Sequence, residues 1–197
     1  MPKQEKTDRR VLYTKMFLKE ALLELMKEMA IDKITPTELC RRANINRNTF
    51  YTHYYTPRDV LAEIEADFSA QIFDSLRSKF TAADIDIPEM LKEICSIVYA
   101  QKEFCKVLLS KNGDPAFFEN VISAGKPVVM DGWRADDIAL DENEMEMFFS
   151  FIVNGSIALI RKWAATDMRE SPEKVAVLIE RIAYSGIDGM KMLGTQV

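Results

Sequence analysis

The richest run of groups able to hydrogen-bond a polyanion is Asn46, Arg47, Asn48 and Thr49, inside ITPTELCRRANINRNTFYTHYYTPRDVL from Ile34 to Leu61. Amides, a hydroxyl and a guanidinium can meet base edges or phosphates when they project together from the first turn of a helix. The local punctuation predicts such a helix. Thr35 before Pro36 is an N-cap with Pro at the first helical position, opening a short helix in which Leu39, Cys40 and Ala43 face inward. Asn44 stops it, because Asn tolerates the left-handed conformation. Ile45 points inward across the turn, and Asn46 caps a second short helix from Arg47 to His53. Two short helices joined by a tight turn, behind a longer first helix, make a helix-turn-helix. In that arrangement the second helix enters a major groove, and Phe50 and Tyr54 pack inward. Tyr51 and His53 face the phosphate backbone. Arg58, at the N-terminus of the next helix, is placed for a phosphate.

The elements that must position these residues are all helical. Apolar residues recur at three and four: Leu12, Met16, Leu22, Leu25, Met26 and Met29 stripe a first helix of about twenty residues. Val60, Leu61, Ile64, Phe68, Ile72, Leu76 and Phe80 stripe a long one from Thr56 onward. Met90, Leu91, Ile94 and Val98, then Phe104, Val107 and Leu108, supply two more. Asp114 to Trp133 reads as helix with a kink or break at Gly125 and Pro127. Glu142 to Ala165 and Pro172 to Leu193 complete the set. No period-2 alternation of useful length occurs, so the fold class is all-α, with about nine helices.

Charge divides the chain. The whole carries a formal −5, which taken alone speaks against a phosphate-rich partner. Residues 1–60, however, hold 12 Lys and Arg against 8 Asp and Glu, a balance of +4, leaving −9 for the remainder. The basic share falls on the helix-turn-helix and the acidity on the rest. The corresponding parts are 1–62, which carries the helix-turn-helix, and 63–197, a helical body.

Other classes find little support. Cys40, Cys95 and Cys105 lack metal-ligand spacing, and the chain has one histidine, so neither a metal site nor a cofactor is expected. There is no Gly-rich phosphate loop, GxSxG or HExxH, and hence no catalytic residue to name. The polar, charged N-terminal ten residues do not read as a signal peptide. The apolar stretch Met147 to Ile160, interrupted by Ser150, Asn154 and Ser156, is too short for a membrane span and reads as a core helix buried on both sides. A cytoplasmic protein is expected.

Tyr99, Phe104, Phe117, Phe118, Met130 and Trp133 form an aromatic and Met-containing set that reads either as core or as the lining of a pocket for a small apolar effector. Gly186 and Gly189 allow close helix approach in the last helix, and with Ile182, Met190 and Leu193 they form a candidate dimer interface.

Over its first sixty or so residues the chain resembles the TetR family of bacterial transcriptional regulators. The matching residues are Leu25-Met26, Asp32, Thr35, Leu39-Cys40, Arg42-Ala43, Ile45, Thr49, Tyr51, His53-Tyr54 and Leu61. Ala30 and Asn44 stand where the family commonly has Gly, and Asn48 where many members carry a small residue. The resemblance implies a ligand-responsive repressor: an Ω-shaped all-α homodimer binding a palindromic double-stranded operator, with 1–62 as the DNA-binding head, 63–197 as a helical ligand-binding and dimerisation body, and Thr35 and Thr37 added to the DNA-contacting set. More weakly, FFSFIVNGSIALIRKWA followed by SPEKVAVLIERI resembles the body of one subgroup. The alternative is a helical ligand-binding or protein-interaction module that does not bind DNA specifically.

Overall fold

The computed structural model describes residues 2–80, 86–135 and 140–194, with side chains described between 9 and 186 apart from 115, 128, 132, 135 and the gaps. Nine α-helices and one 3₁₀ turn, without a strand, make up the described residues. They are α1 (Pro2–Glu28), the 3₁₀ turn Ile31–Lys33, α2 (Pro36–Ala43), α3 (Arg47–Tyr51) and α4 (Pro57–Lys79), then α5 (Ile87–Ala100), α6 (Lys102–Leu108), α7 (Pro115–Ala135), α8 (Glu142–Ala165) and α9 (Pro172–Gly194). Two compact units emerge, residues 1–70 with 107–114, and residues 71–106 with 115–197. No break marks residue 62, which lies within α4.

In the first unit, Leu18, Leu22, Leu25 and Met26 of α1 join Leu39, Phe50, Val60 and Leu61 in a core with almost no exposure. Leu12 and Met16 do not belong to it; they are 66% and 39% exposed, while Thr14 is buried. The reason is helical phase. Each lies two residues behind an inward position, Thr14 or Leu18, and so about 200° round the helix. The end of α1 also departs from the family habit without strain. Ala30 is extended, at φ −66°, and needs no left-handed glycine.

In the second unit, α5 packs on α9, α9 on α8 and α8 on α7. Met130 and Trp133 of α7 meet Met145 and Phe149 of α8 in a buried cluster. Helix α7 passes Gly125 and Pro127 as one element, so of the kink or break expected there, no break occurs. Pro127 is exposed, so water can satisfy the carbonyl that its missing N–H leaves unpaired. Helix α8 starts on a capping box, with the Asp141 side chain accepting from the Glu144 N–H and Glu144 accepting from the Asp141 N–H. It is not buried on both sides: Met147 and Phe151 are 66% and 70% exposed. The turn after α8 carries two consecutive left-handed residues, Asp167 and Met168, and the buried Trp163 indole donates across it to the Glu170 carbonyl at 2.9 Å.

Candidate nucleic-acid interface

The turn between α2 and α3 is built as its residue types dictate. Thr35 Oγ1 accepts from the Glu38 N–H at 3.2 Å and starts α2. Asn44 closes α2 in the left-handed region, φ 54° and ψ 41°, its own N–H bonding back to Arg41 and Cys40. Asn46 Oδ1 then accepts from the Asn48 N–H at 2.8 Å, capping α3. Helix α3 ends at Tyr51, two residues earlier than expected, because the Thr52 hydroxyl bonds the Asn48 carbonyl and the His53 and Tyr54 N–H groups both fold back to Phe50 O.

This short helix is anchored from below. Phe50 is fully buried and Tyr54 nearly so, their rings 5.9 Å apart. The Tyr54 hydroxyl donates to Glu63 Oε2 at 3.0 Å, and Lys15 and Lys19 of α1 each reach Glu63 at 2.8 Å, Lys19 extending to Asp67. Burial pushes the Glu63 carboxyl up, but the three hydrogen bonds from Lys15, Lys19 and Tyr54 prevail and hold it at about 2. Burial, then the bond to Glu63, drives the Tyr54 phenol well above its usual range. The network thus ties the end of the helix-turn-helix to α1 and α4.

Above that anchor the expected residues are placed as follows. Asn46, Arg47, Asn48 and Tyr51 are exposed, and Thr49 is half-buried. Arg47 leans on Tyr51, one turn along, with its Nη2 donating to the hydroxyl. Thr35 and Thr37 are exposed at the start of α2. His53 is half-buried, edge-on to Tyr54. Arg58 is occupied. Its Nε and Nη2 donate to Asp32 Oδ1 at 2.9 and 2.5 Å, and its Nη1 to Asp114 Oδ2 at 3.4 Å. Its guanidinium therefore serves an internal clamp. Arg41, outside the set expected from the sequence, has its side chain 72% exposed on α2 and pairs with Glu38 at 3.4 Å; the Arg41-Arg42 doublet is its signal in the sequence.

The aromatic set of the body is not one pocket. Tyr99 stacks on Trp163, their rings 5.9 Å apart. Phe117 is buried against Phe118, whereas Met130 and Trp133 belong to the α7–α8 core and Phe104 is half-buried. Only Phe118 lines the groove of about 460 Å³ between α7 and α8, with Glu119, Ile122, Asn154, Ile157, Ala158 and Arg161. Ile182 is 47% exposed on α9. Gly186 faces inward within the chain, where an added Cβ would stand 2.9 Å from the Phe148 ring. The side chains of Gly189, Met190 and Leu193 lie outside the described residues.

Residues 86–185 match the TetR-type family model described as "Transcriptional regulator C-terminal region". The chain is 29% identical over 163 residues to the uncharacterized HTH-type transcriptional regulator YxbF of Bacillus subtilis (strain 168), covering 81% of this chain and 42% of that protein. It thus spans less than half the length of that curated relative. Among solved structures, the TetR transcriptional regulator from Streptococcus agalactiae 2603V is similar in fold, with TM-score 0.68 and 22% identity over 91% of this chain and 98% of that one. The fatty acid degradation regulator FadR from Bacillus halodurans aligns with TM-score 0.65 and 13% identity, covering 86% and 94%.

Proposed function

From the premise that the chain belongs to the TetR family of transcriptional regulators, we propose that it is a ligand-responsive repressor binding a palindromic operator as a homodimer. Residues 1–62 act as the DNA-binding head, and residues 63–197 bind the effector and dimerise. The single observation that carries the reading is the exposure of Asn46, Arg47 and Asn48 on a helix whose Phe50 is fully buried. A rigid short helix presenting amides and a guanidinium is what direct readout in a major groove requires. Thr49 reads bases with them. Thr35, Thr37, Tyr51 and His53 contact phosphates and set register. Arg58 acts instead by holding the head together, a role favoured by its bonds to Asp32 and Asp114.

The homodimer is supported by the exposed apolar residues Met147 and Phe151 of α8 and Leu178 and Ile182 of α9, two helices that pack on each other. Apolar side chains of this size left in water favour a second copy. A small apolar effector would shift the equilibrium between DNA-competent and incompetent states through its different affinity for the two. No helix among the described residues is long and apolar enough to cross a membrane.

Titration against genomic fragments at several salt concentrations tests the DNA reading. A specific regulator keeps its preference for some fragments as salt rises, even though every affinity falls. Binding that fades uniformly, with no fragment preferred, would instead favour a helical module that does not read sequence.

A further inference from the structure

Glu65 stands apart in the first unit. Its Oε1 is buried and has no hydrogen-bond partner, the one such side-chain atom among the described residues. It lies two turns along α4 from Arg58 and therefore on the same helix face. The charged groups acting on it are Asp114, from the segment 107–114, and Arg58; burial first and Asp114 second push its carboxyl up to about 7, against the pull of Arg58. Arg58 is itself committed to Asp32, within the 3₁₀ turn, and to Asp114. On α1 the late carboxylates Glu24 and Glu28 answer to Lys27 and Arg42 instead. Lys111, in the same segment as Asp114, is exposed.

Segment 107–114 is seated in this unit by buried side chains and by polar bonds to α1 and α4. Val107 and Leu108 are buried, Asn112 Nδ2 donates to the Met26 carbonyl at the end of α1 at 2.9 Å, and Asp114 accepts from Arg58. The chain passes directly from Asp114 into α7 at Pro115.

We propose that Glu65 is a proton-operated latch on this segment. Protonated, it is neutral beside Asp114, which keeps its share of Arg58, and residues 107–114 stay seated on α1 and α4. Ionised, it adds a second negative charge to the surroundings of Asp114 and Arg58, whose guanidinium is already held by Asp32. The repulsion loosens the bond of Arg58 to Asp114 and frees the segment that leads into α7.

Hydrogen exchange of the amides in 107–114, on the full chain and corrected for intrinsic exchange, tests this between about pH 6 and about pH 8. The wild type loses protection roughly threefold or more on going to the higher pH, whereas E65Q keeps the same protection at both. D114N removes the repelling charge while keeping an amide in place, so its transition moves to higher occupancy of the charged form, with a midpoint at lower pH and a smaller loss. Equal wild-type protection at the two pH values, or the same loss in E65Q, overturns the latch. Should E65Q fail to fold, an unmoved midpoint and undiminished loss in D114N overturn it as well. The readout contains no DNA, so its failure is separate from any failure of the operator reading.

Discussion

The Arg47 guanidinium donates to the Tyr51 hydroxyl at 3.3 Å and lies 5.8 Å from the centre of that ring. Two exposed side chains one turn apart on α3 thus restrain each other, so the cation occupies a fixed sector before any DNA arrives. Pre-ordering of this kind lowers the entropy lost on binding. Arg47→Ala is expected to weaken binding to the selected operator by about 1–3 kcal/mol at the base it reads. Tyr51→Phe, which keeps the ring and loses the hydroxyl, should cost less. The double variant should match Arg47→Ala within about 0.5 kcal/mol. Fully additive losses in fluorescence-anisotropy titrations would show that the two residues act separately.

The Glu63 network makes a pH prediction with a definite sign. Its carboxyl ionises at about 2 in the folded protein against an ordinary 4.5. A depressed acid contributes stability that is complete above the unfolded value and disappears as pH falls through the folded one. Thermal stability should therefore decline on acidification from about pH 4.5 towards about pH 2, and Glu63→Gln should flatten that part of the curve. Parallel melting curves for the two proteins across that range would contradict the assignment.

At Asn44 the backbone is left-handed. Asn44→Gly should leave stability unchanged or slightly higher, because glycine enters this region freely. Asn44→Val should cost about 1–2 kcal/mol in urea unfolding, the penalty of forcing a branched side chain into it. No difference between the two variants would mean that the turn is not held in this conformation.

The head was largely legible in the sequence because its signals are local. Thr35, Asn44 and Asn46 act within four residues of themselves, as caps and a stop, and Phe50 and Tyr54 follow helical spacing into the core. What depended on distant partners was not legible. Arg58 reads as a phosphate contact until Asp114, 56 positions away, is found against it. Leu12 and Met16 are apolar and fit a 3–4 pattern, yet the neighbouring phase of α1 is the one covered. In the run Met147 to Ile160 the exposed Ser150 and Asn154, one turn apart, mark the outer face on which Phe151 also lies, but an apolar residue of that size masks the signal against buried Phe149. The aromatic set from Tyr99 to Trp133 likewise divides among separate contacts, because helix pairing, not composition, decides which rings meet.

The exposed face of α8 and α9 can be tested by charge. Phe151→Glu places a carboxylate where a second copy is expected to cover a 70% exposed ring. Sedimentation velocity should give a dimer for the wild type and a monomer for the variant, with unchanged helical content. A wild type that sediments as a monomer at every concentration would remove the homodimer from the account.

Selection of bound duplexes from a random DNA pool asks at once whether the protein reads sequence and whether it does so through two heads at a fixed spacing. The account predicts an enriched palindrome whose half-sites lie about one helical turn or a multiple of it apart, and loss of that enrichment with Arg47→Ala. A pool that stays random after repeated rounds, with binding that salt alone abolishes, would contradict it.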